Sequence, residues 1–509
     1  MIKNVIKQID MVATSDPTRI VYNNLGETNT YQQLKEKSDA LASHIIELDL
    51  DKKSPVMVYG NQKFEMLVAF MGSVKAGHAY IPIDSHSPAE RLEEIQNIAK
   101  PAACIAVAEL PEIELSVPVI SHTKLVEVIE NGQGTVAPDP SLQVQGNDNF
   151  YIIFTSGTTG QPKGVQISHD NLISYVNWMI DDFSLPERPN ILSQAPYSFD
   201  LSVMDVYPAL TMGGQLSVLP QEVTDNFKVL FQTLPTLDLQ VWVSTPSFMD
   251  ICLLEPTFDA DHLPDLSRFL FCGEELTHKT ASALKKRFPM AKIFNTYGPT
   301  EATVAVSSVE ITNDILEAYP RLPIGYSKAD TKMTVVNSKN EVVPNGDEGE
   351  LIIIGPSVSK GYINNPDKTA SAFFEMDGGS AYRTGDAATI SSDGMLLYRG
   401  RIDFQVKLHG YRIELEEVDH HVSSAPYVKQ AITIPKYDKD HKVSQLIAYV
   451  VQKEHPFDRD IELTAAIKKD MAETTMSYMI PQKFVYVDAL PLTQNGKIDR
   501  KKLINEVNA

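Results

Sequence analysis

YIIFTSGTTGQPKG, residues 151–164, runs four apolar residues straight into ten that contribute little to a core. Those ten are three glycines, a proline, four hydroxyl residues, an amide and a lysine. Each glycine loses more conformational freedom on folding than any other residue, so the stretch is either a decorated surface turn or a loop that closes around something. A glycine-rich loop after a strand can cradle an anion, because bare backbone N–H groups point inward. The hydroxyls of Thr155, Ser156, Thr158 and Thr159 and the backbone of Gly157 supply donors, and Lys163 supplies positive charge. The Walker pattern GxxxxGK[ST] fails here, since Lys163 is preceded by Pro162 and followed by Gly164.

Outward from this loop, short apolar runs alternate with helical patterns. SPVMVYG (54–60) predicts a strand and FEMLVAFMGSVKAG (64–77) the helix after it, with Gly77 as the stop. PAACIAVA, LSQAPYS, GGQLSVLP, VWVSTPS and RFLFCGEE repeat the order strand, polar turn, helix. That alternation predicts an α/β fold of parallel sheets covered by helices. From Gly346 to Arg401 the chain turns β-rich (GELIIIG, GMLLYRG), and after Arg401 a smaller region has its own strands and helices, among them QLIAYVVQ and LTAAIKKDMAET. The expected boundary is near Ile402–Asp403, giving domains 1–402 and 403–509.

At 509 residues the chain is too long for one core. Its net charge of −21 argues against nucleic acid or an anionic membrane as a bulk partner, since both select basic surfaces. Three cysteines without CxxC spacing argue against a zinc site or disulfide framework. No run of about 18 apolar residues occurs, and the N-terminus lacks a signal peptide's apolar core. The expectation is a cytoplasmic protein without membrane insertion.

Further polar motifs follow: Asn295-Thr296-Tyr297-Gly298-Pro299-Thr300-Glu301 after a strand-like KIF, Tyr382-Arg383-Thr384-Gly385-Asp386, Tyr398-Arg399-Gly400-Arg401, and Asn495-Gly496-Lys497-Ile498-Asp499-Arg500. The first two read as polar loops, the third brings two guanidiniums, and the last offers a lysine in a turn. Taken together and in order, TSGTTGQPKG, YGPTE, YRTGD, GRIDFQVKLHGYRIE and NGKIDR resemble the adenylate-forming superfamily over essentially the whole chain. AGHAYIPID (76–84) and APYSFDLSVMDVYPALTMGG (195–214) resemble more narrowly its amino-acid-activating branch. Within that branch the likeness is to the stand-alone ligases of Gram-positive bacteria that load D-alanine onto a carrier protein for (lipo)teichoic acid.

The resemblance implies a large N-terminal domain of αβ layers with a small β-barrel-like subdomain, and a small mobile α+β C-terminal domain. It implies two half-reactions: a carboxylate attacks the α-phosphorus of ATP, then a thiol collects the acyl group. Lys497 is implied as the catalytic cation of the first step, reaching carboxylate and α-phosphate. The loop 155–164 is expected to close on the β- and γ-phosphates, and Asn295 to Thr300 to line adenine and α-phosphate. Asp386 is expected at the ribose and Arg401 at the nucleotide, with Tyr398, Arg399 and Gly400 ranked after it. Glu301 is the expected Mg2+ contact.

Asp200 is expected to meet the substrate's ammonium, which argues against an acyl-CoA ligase. Cys272 is expected as a wall of the D-alanine pocket, with Val304 on the methyl side. Asp403 is the expected hinge, with Lys407 and Gly410-Tyr411-Arg412 facing the site in the second state. The chain ends about a dozen residues after Lys497 and shows no carrier motif, so the expected acceptor is a separate phosphopantetheinylated carrier protein, docking transiently, with the Lys497–Lys502 strip as a possible contact. Adenylation of another small amino acid is the nearest alternative, and a catalytically dead nucleotide sensor a distant one.

Overall fold

Val56–Gly60 and Phe64–Lys75 form the strand and helix that their pattern predicts. All five strand residues are buried, and so is every helix residue except Glu65. A helix apolar on all sides belongs inside a protein, and this one carries its single core charge in a paired form. Lys75, fully buried, donates to Asp10 at 2.8 Å, Asp39 at 2.6 Å and the Ser38 hydroxyl at 3.0 Å. Gly77 follows with φ +89°, and a Cβ there would lie 2.5 Å from the Leu142 carbonyl oxygen.

The computed structural model describes residues 1–132, 136–157, 161–492 and 498–508, and every count below is of those residues. Two large sheets form the first 327 residues. One has nine strands in the order 326–327, 307–310, 292–297, 268–271, 241–244, 190–193, 215–218, 20–24 and 27–30. The other has six, in the order 119–120, 103–106, 56–60, 80–84, 149–155 and 163–168. Their inner strands are parallel, as the alternation predicts. The edges depart from it: 27–30, 307–310 and 326–327 run antiparallel, and so does 163–168 against 149–155. Helices 64–75 and 201–212 share one apolar core with strands of both sheets.

The expected β-barrel-like unit is a five-stranded antiparallel sheet, with strands 332–336, 349–354, 379–390 and 373–376 in order and 396–401 paired to 379–390. After it come the hairpin Gln405–Leu408/Tyr411–Glu414 and a three-stranded sheet (428–437, 443–452, 483–486) packed with helices Leu415–Ser424, Asp460–Thr474 and Arg500–Asn508. The apolar clusters of this last region contain no residue before Phe404.

Two motifs read as polar loops are strand, and the Tyr398–Arg401 strip is strand as its β-rich surroundings predict. Asn295–Tyr297 completes strand Lys292–Tyr297, Tyr382–Asp386 lies within Gly379–Ile390, and Tyr398–Arg401 completes Leu396–Arg401. The reason is alternation: Tyr382, Thr384, Asp386 and Ala388 all point to the buried face, and strands bury every second residue whatever its polarity. Among the described residues no helix is long and apolar enough to cross a membrane.

Candidate functional site

A cavity of about 590 Å³ opens where the parallel strands end, the usual place for a ligand in sheets of this kind. Asp84, Thr155–Ser156, Thr245, Cys272–Gly273 and Tyr297–Thr300 reach it from the ends of strands 80–84, 149–155, 241–244, 268–271 and 292–297. Asp200 reaches it from the start of helix Leu201–Met212, and Thr384, Asp386 and Arg401 from the smaller sheet. Gln405, Lys407, His409–Arg412 and Tyr478 close it from the C-terminal region. An adjoining cavity of about 410 Å³ shares Cys272, Tyr297, Gly298, Asp386, Arg401 and Lys407, and adds Asn295, Thr296, Tyr398, Gly400 and Asp403.

Several predicted residues are already committed to protein partners. Asn295 donates to the Pro323 carbonyl at 2.7 Å and Thr296 to the Phe271 carbonyl at 2.8 Å, so both side chains tie the strand in place. Arg399 lines neither cavity; it is exposed and donates across the sheet to Thr389 at 3.3 Å. Asp386 accepts from the Tyr297 hydroxyl and from Arg401 Nη1 at 3.0 Å. Arg401 also donates to the Thr384 carbonyl at 2.8 Å and grips both oxygens of Asp403. Gly385 is required there: with φ +67°, a Cβ would stand 2.8 Å from Arg401 Nη2 and 2.9 Å from Asp403 Oδ2.

Cys272, Val304 and Asp200 line one part of the first cavity. The Cys272 thiol donates to the Val304 carbonyl at 3.7 Å, and burial pushes its pKa up. Thr303 and Val304 both have positive φ, +59° and +68°. Two β-branched residues in succession there are strained; a bond from the Thr303 hydroxyl to the Ser357 carbonyl at 2.7 Å helps hold the turn. Asp200 has its pKa raised by burial, and Glu301 adds to this, while a hydrogen bond from Thr300 and the charges of Lys407 and Arg412 oppose it. A cation entering the cavity would remove that cost.

Glu301 is fully buried beside the glycine-rich loop. Its Oε1 accepts from the Tyr362 hydroxyl at 2.9 Å and its Oε2 from Arg412 Nη1 at 2.7 Å. Burial pushes its pKa up, but Arg412 and Lys163 outweigh this and hold it at about 2. No group of three or more His, Cys, Asp or Glu among the described residues is placed to hold a metal. One carboxylate beside a phosphate-type loop does fit magnesium, which commonly takes one or two carboxylates and completes its shell with water and phosphate oxygens.

The sequence reading missed how the C-terminal region is fastened. Gly410 N–H donates to Glu274 Oε1 at 2.7 Å, and with φ +87° its Cβ would fall 2.4 Å from Thr245 Cγ2. Tyr411 stacks on Tyr478 with centroids 3.9 Å apart and meets the edge of Phe199 at 4.9 Å. Ser156 donates to the Arg412 carbonyl at 2.8 Å, and Gly157 N–H to Glu417 at 2.7 Å. Lys407 and Gly410–Arg412 thus line the cavity, the placement expected for a second state. Thr158, Thr159 and Lys497 lie outside the described residues.

The family model described as AMP-binding enzyme matches residues 9–363, and that described as AMP-binding enzyme C-terminal domain matches 417–497. A D-alanine--D-alanyl carrier protein ligase of Lactiplantibacillus plantarum is 62% identical over 509 residues, covering all of both chains. One of Streptococcus agalactiae is 52% identical over 513 residues, again covering all of both. Among solved structures, an NRPS protein containing adenylation and PCP domains is 25% identical with a TM-score of 0.82, covering 99% of this chain and 84% of that one. With its loop, strand-end cavity and docked C-terminal region, this chain belongs to the AMP-binding enzyme family.

Proposed function

We propose that the chain activates D-alanine with ATP to D-alanyl-AMP, releasing pyrophosphate, and passes the acyl group to the phosphopantetheine thiol of a separate carrier protein for (lipo)teichoic acid. The observation that carries this reading is the 62% identity, end to end, to a D-alanine--D-alanyl carrier protein ligase. The cavity agrees with it. Asp200 is a half-buried carboxylate lacking a full countercharge, suited to an ammonium. Cys272 and Val304 leave an apolar wall beside it, suited to a methyl group.

In the first half-reaction a substrate carboxylate oxygen attacks the α-phosphorus and the bond to pyrophosphate breaks. Positive charge belongs where negative charge develops; Lys497 supplies it on this reading, and Lys163 with the loop N–H groups holds the β- and γ-phosphates. Glu301, released from Arg412, would hold magnesium together with phosphate oxygens, and its charge would offset theirs. In the second half-reaction a thiolate attacks the acyl carbon and AMP leaves. Residues 1–402 and 403–509 act as two units turning about Asp403, the position gripped by Arg401. The orientation in hand, with Gly410–Arg412 in the cavity, suits the second step.

D-alanine-dependent exchange of labelled pyrophosphate into ATP tests the reading. Exchange with D-alanine should exceed that with L-alanine or glycine, and a chain that exchanges with none of the three contradicts it.

A further inference from the structure

Two buried carboxylates from the C-terminal unit sit on the donors of the glycine-rich loop. Glu417 Oε2 accepts from Gly157 N–H at 2.7 Å, and Glu414 Oε1 lies 3.5 Å from Lys163 Nζ. Both glutamates are 2% exposed and Lys163 is 6% exposed. A backbone N–H at a glycine and a lysine ammonium are the donor types with which a loop holds phosphate oxygens. Here each already has an anion, brought from about 250 residues further along the chain.

The fit is imperfect for a permanent contact. Glu414 Oε2 is buried without a hydrogen-bond partner among the described residues, a costly state for a carboxylate oxygen. Arg412 Nη2 stands 3.9 Å from Glu414 Oε1, and Arg91 Nη1 stands 3.8 Å from Glu417 Oε1, both beyond hydrogen-bond length. Burial lowers the pKa of Lys163 and raises that of Glu417, so each group is held against some desolvation cost. Lys163, holding its anion at 3.5 Å, is suited to exchanging it for another.

We propose that Glu414 and Glu417 are internal stand-ins for pyrophosphate: they take over Lys163 and the Gly157 N–H when phosphates leave the loop, so that phosphate occupancy and docking of the C-terminal unit in this orientation exclude one another. They act through the loop and are positioning residues. The proposal rests on the ATP-dependent reading of the cavity and adds to it the trigger that orders the two half-reactions. Pyrophosphate departure frees the donors, the carboxylates capture them, and Arg412 is delivered onto Glu301 by the same movement.

The test is calorimetric binding of inorganic pyrophosphate to the full chain. If docking competes, apparent affinity is reduced by the fraction of molecules whose loop is open. The double variant Glu414→Gln, Glu417→Gln should then bind pyrophosphate about tenfold more tightly than the parent. Glu416→Gln is the charge control, because Glu416 lies on the helix that carries Glu417 and two residues after Glu414 but pairs with Arg500 at 2.9 Å; it should stay within about twofold of the parent. An unchanged double variant, or an equal gain in the control, overturns the proposal. Hydrogen exchange on the unaltered chain is the second measurement: saturating pyrophosphate should speed exchange across residues 405–414, and unchanged protection overturns the proposal. Neither readout needs an amino acid. Absence of D-alanine-dependent exchange would therefore reject the substrate reading alone, and absence of competition would reject the stand-in role alone.

Discussion

Arg412 of the C-terminal unit lies 2.7 Å from Glu301 of the large unit, against a carboxylate with no exposure to solvent. The two residues are 111 positions apart and meet because the hairpin 405–414 is inserted into the cavity.

Removing one partner of a buried pair costs about 3 kcal/mol or more, because the other charge is left unpaired. Arg412→Ala should therefore weaken docking in this orientation and slow acyl transfer from supplied D-alanyl-AMP by about 10²-fold. Pyrophosphate exchange should change by less than about tenfold, since the first half-reaction does not use this orientation. Measuring both half-reactions on one preparation checks it, and equal losses would remove the distinction between states.

Cys272 bonds to the carbonyl of a residue whose backbone is itself strained, so the wall it makes with Val304 is held in a fixed place. Shrinking it by Cys272→Ala should relax the preference for D- over L-alanine. Apolar contacts of this size discriminate by about 1–3 kcal/mol, so a drop of about tenfold or more in the ratio of exchange efficiencies is expected. An unchanged ratio would leave Cys272 as core packing.

His421 gives a stability prediction. Burial lowers its pKa to about 4, with His420 and Arg91 adding to the effect. A histidine depressed in the fold contributes stability that is present above its unfolded pKa, about 6.5, and lost as pH falls toward 4. The ring is only partly buried and contacts the Thr474 hydroxyl at 3.2 Å, so the contribution lost between pH 7 and 5 is about 1 kcal/mol after solvent screening. His421→Gln should flatten the pH dependence of urea unfolding over that interval by this amount. Parallel curves for parent and variant would show that His421 is not charged on unfolding.

Much of the cavity was legible in the sequence, because its residues sit at strand ends marked by turn chemistry. Thr155–Ser156, Gly298–Thr300, Asp200 and Cys272 were all placed beside one another by motif order, and the structure brings them to one cavity. The secondary structure of two motifs was misread, since Thr384 and Asp386 look like loop residues until their period of two with Tyr382 and Ala388 is counted. Arg399 was grouped with Arg401, two positions on, where a regular strand would put both on one face; the register shift at Ala387/Ala388, which leaves Arg399 unpaired before Gly400 at φ +116°, breaks that alternation. Glu274, Glu414 and Glu417 were not legible at all. Their partners lie 136 to 260 residues away, and no local pattern encodes which side of a second unit will face the first.

The central claim is that one cavity serves two half-reactions through two orientations of residues 403–509, the first needing Lys497 and the second needing Arg412. The most direct test is Lys497→Ala measured separately in D-alanine-dependent pyrophosphate exchange and in transfer from supplied D-alanyl-AMP to a phosphopantetheinyl thiol. The account predicts a loss of about 10²-fold or more in exchange, with transfer within about threefold of the parent. A variant that loses both to the same degree, or neither, would contradict it.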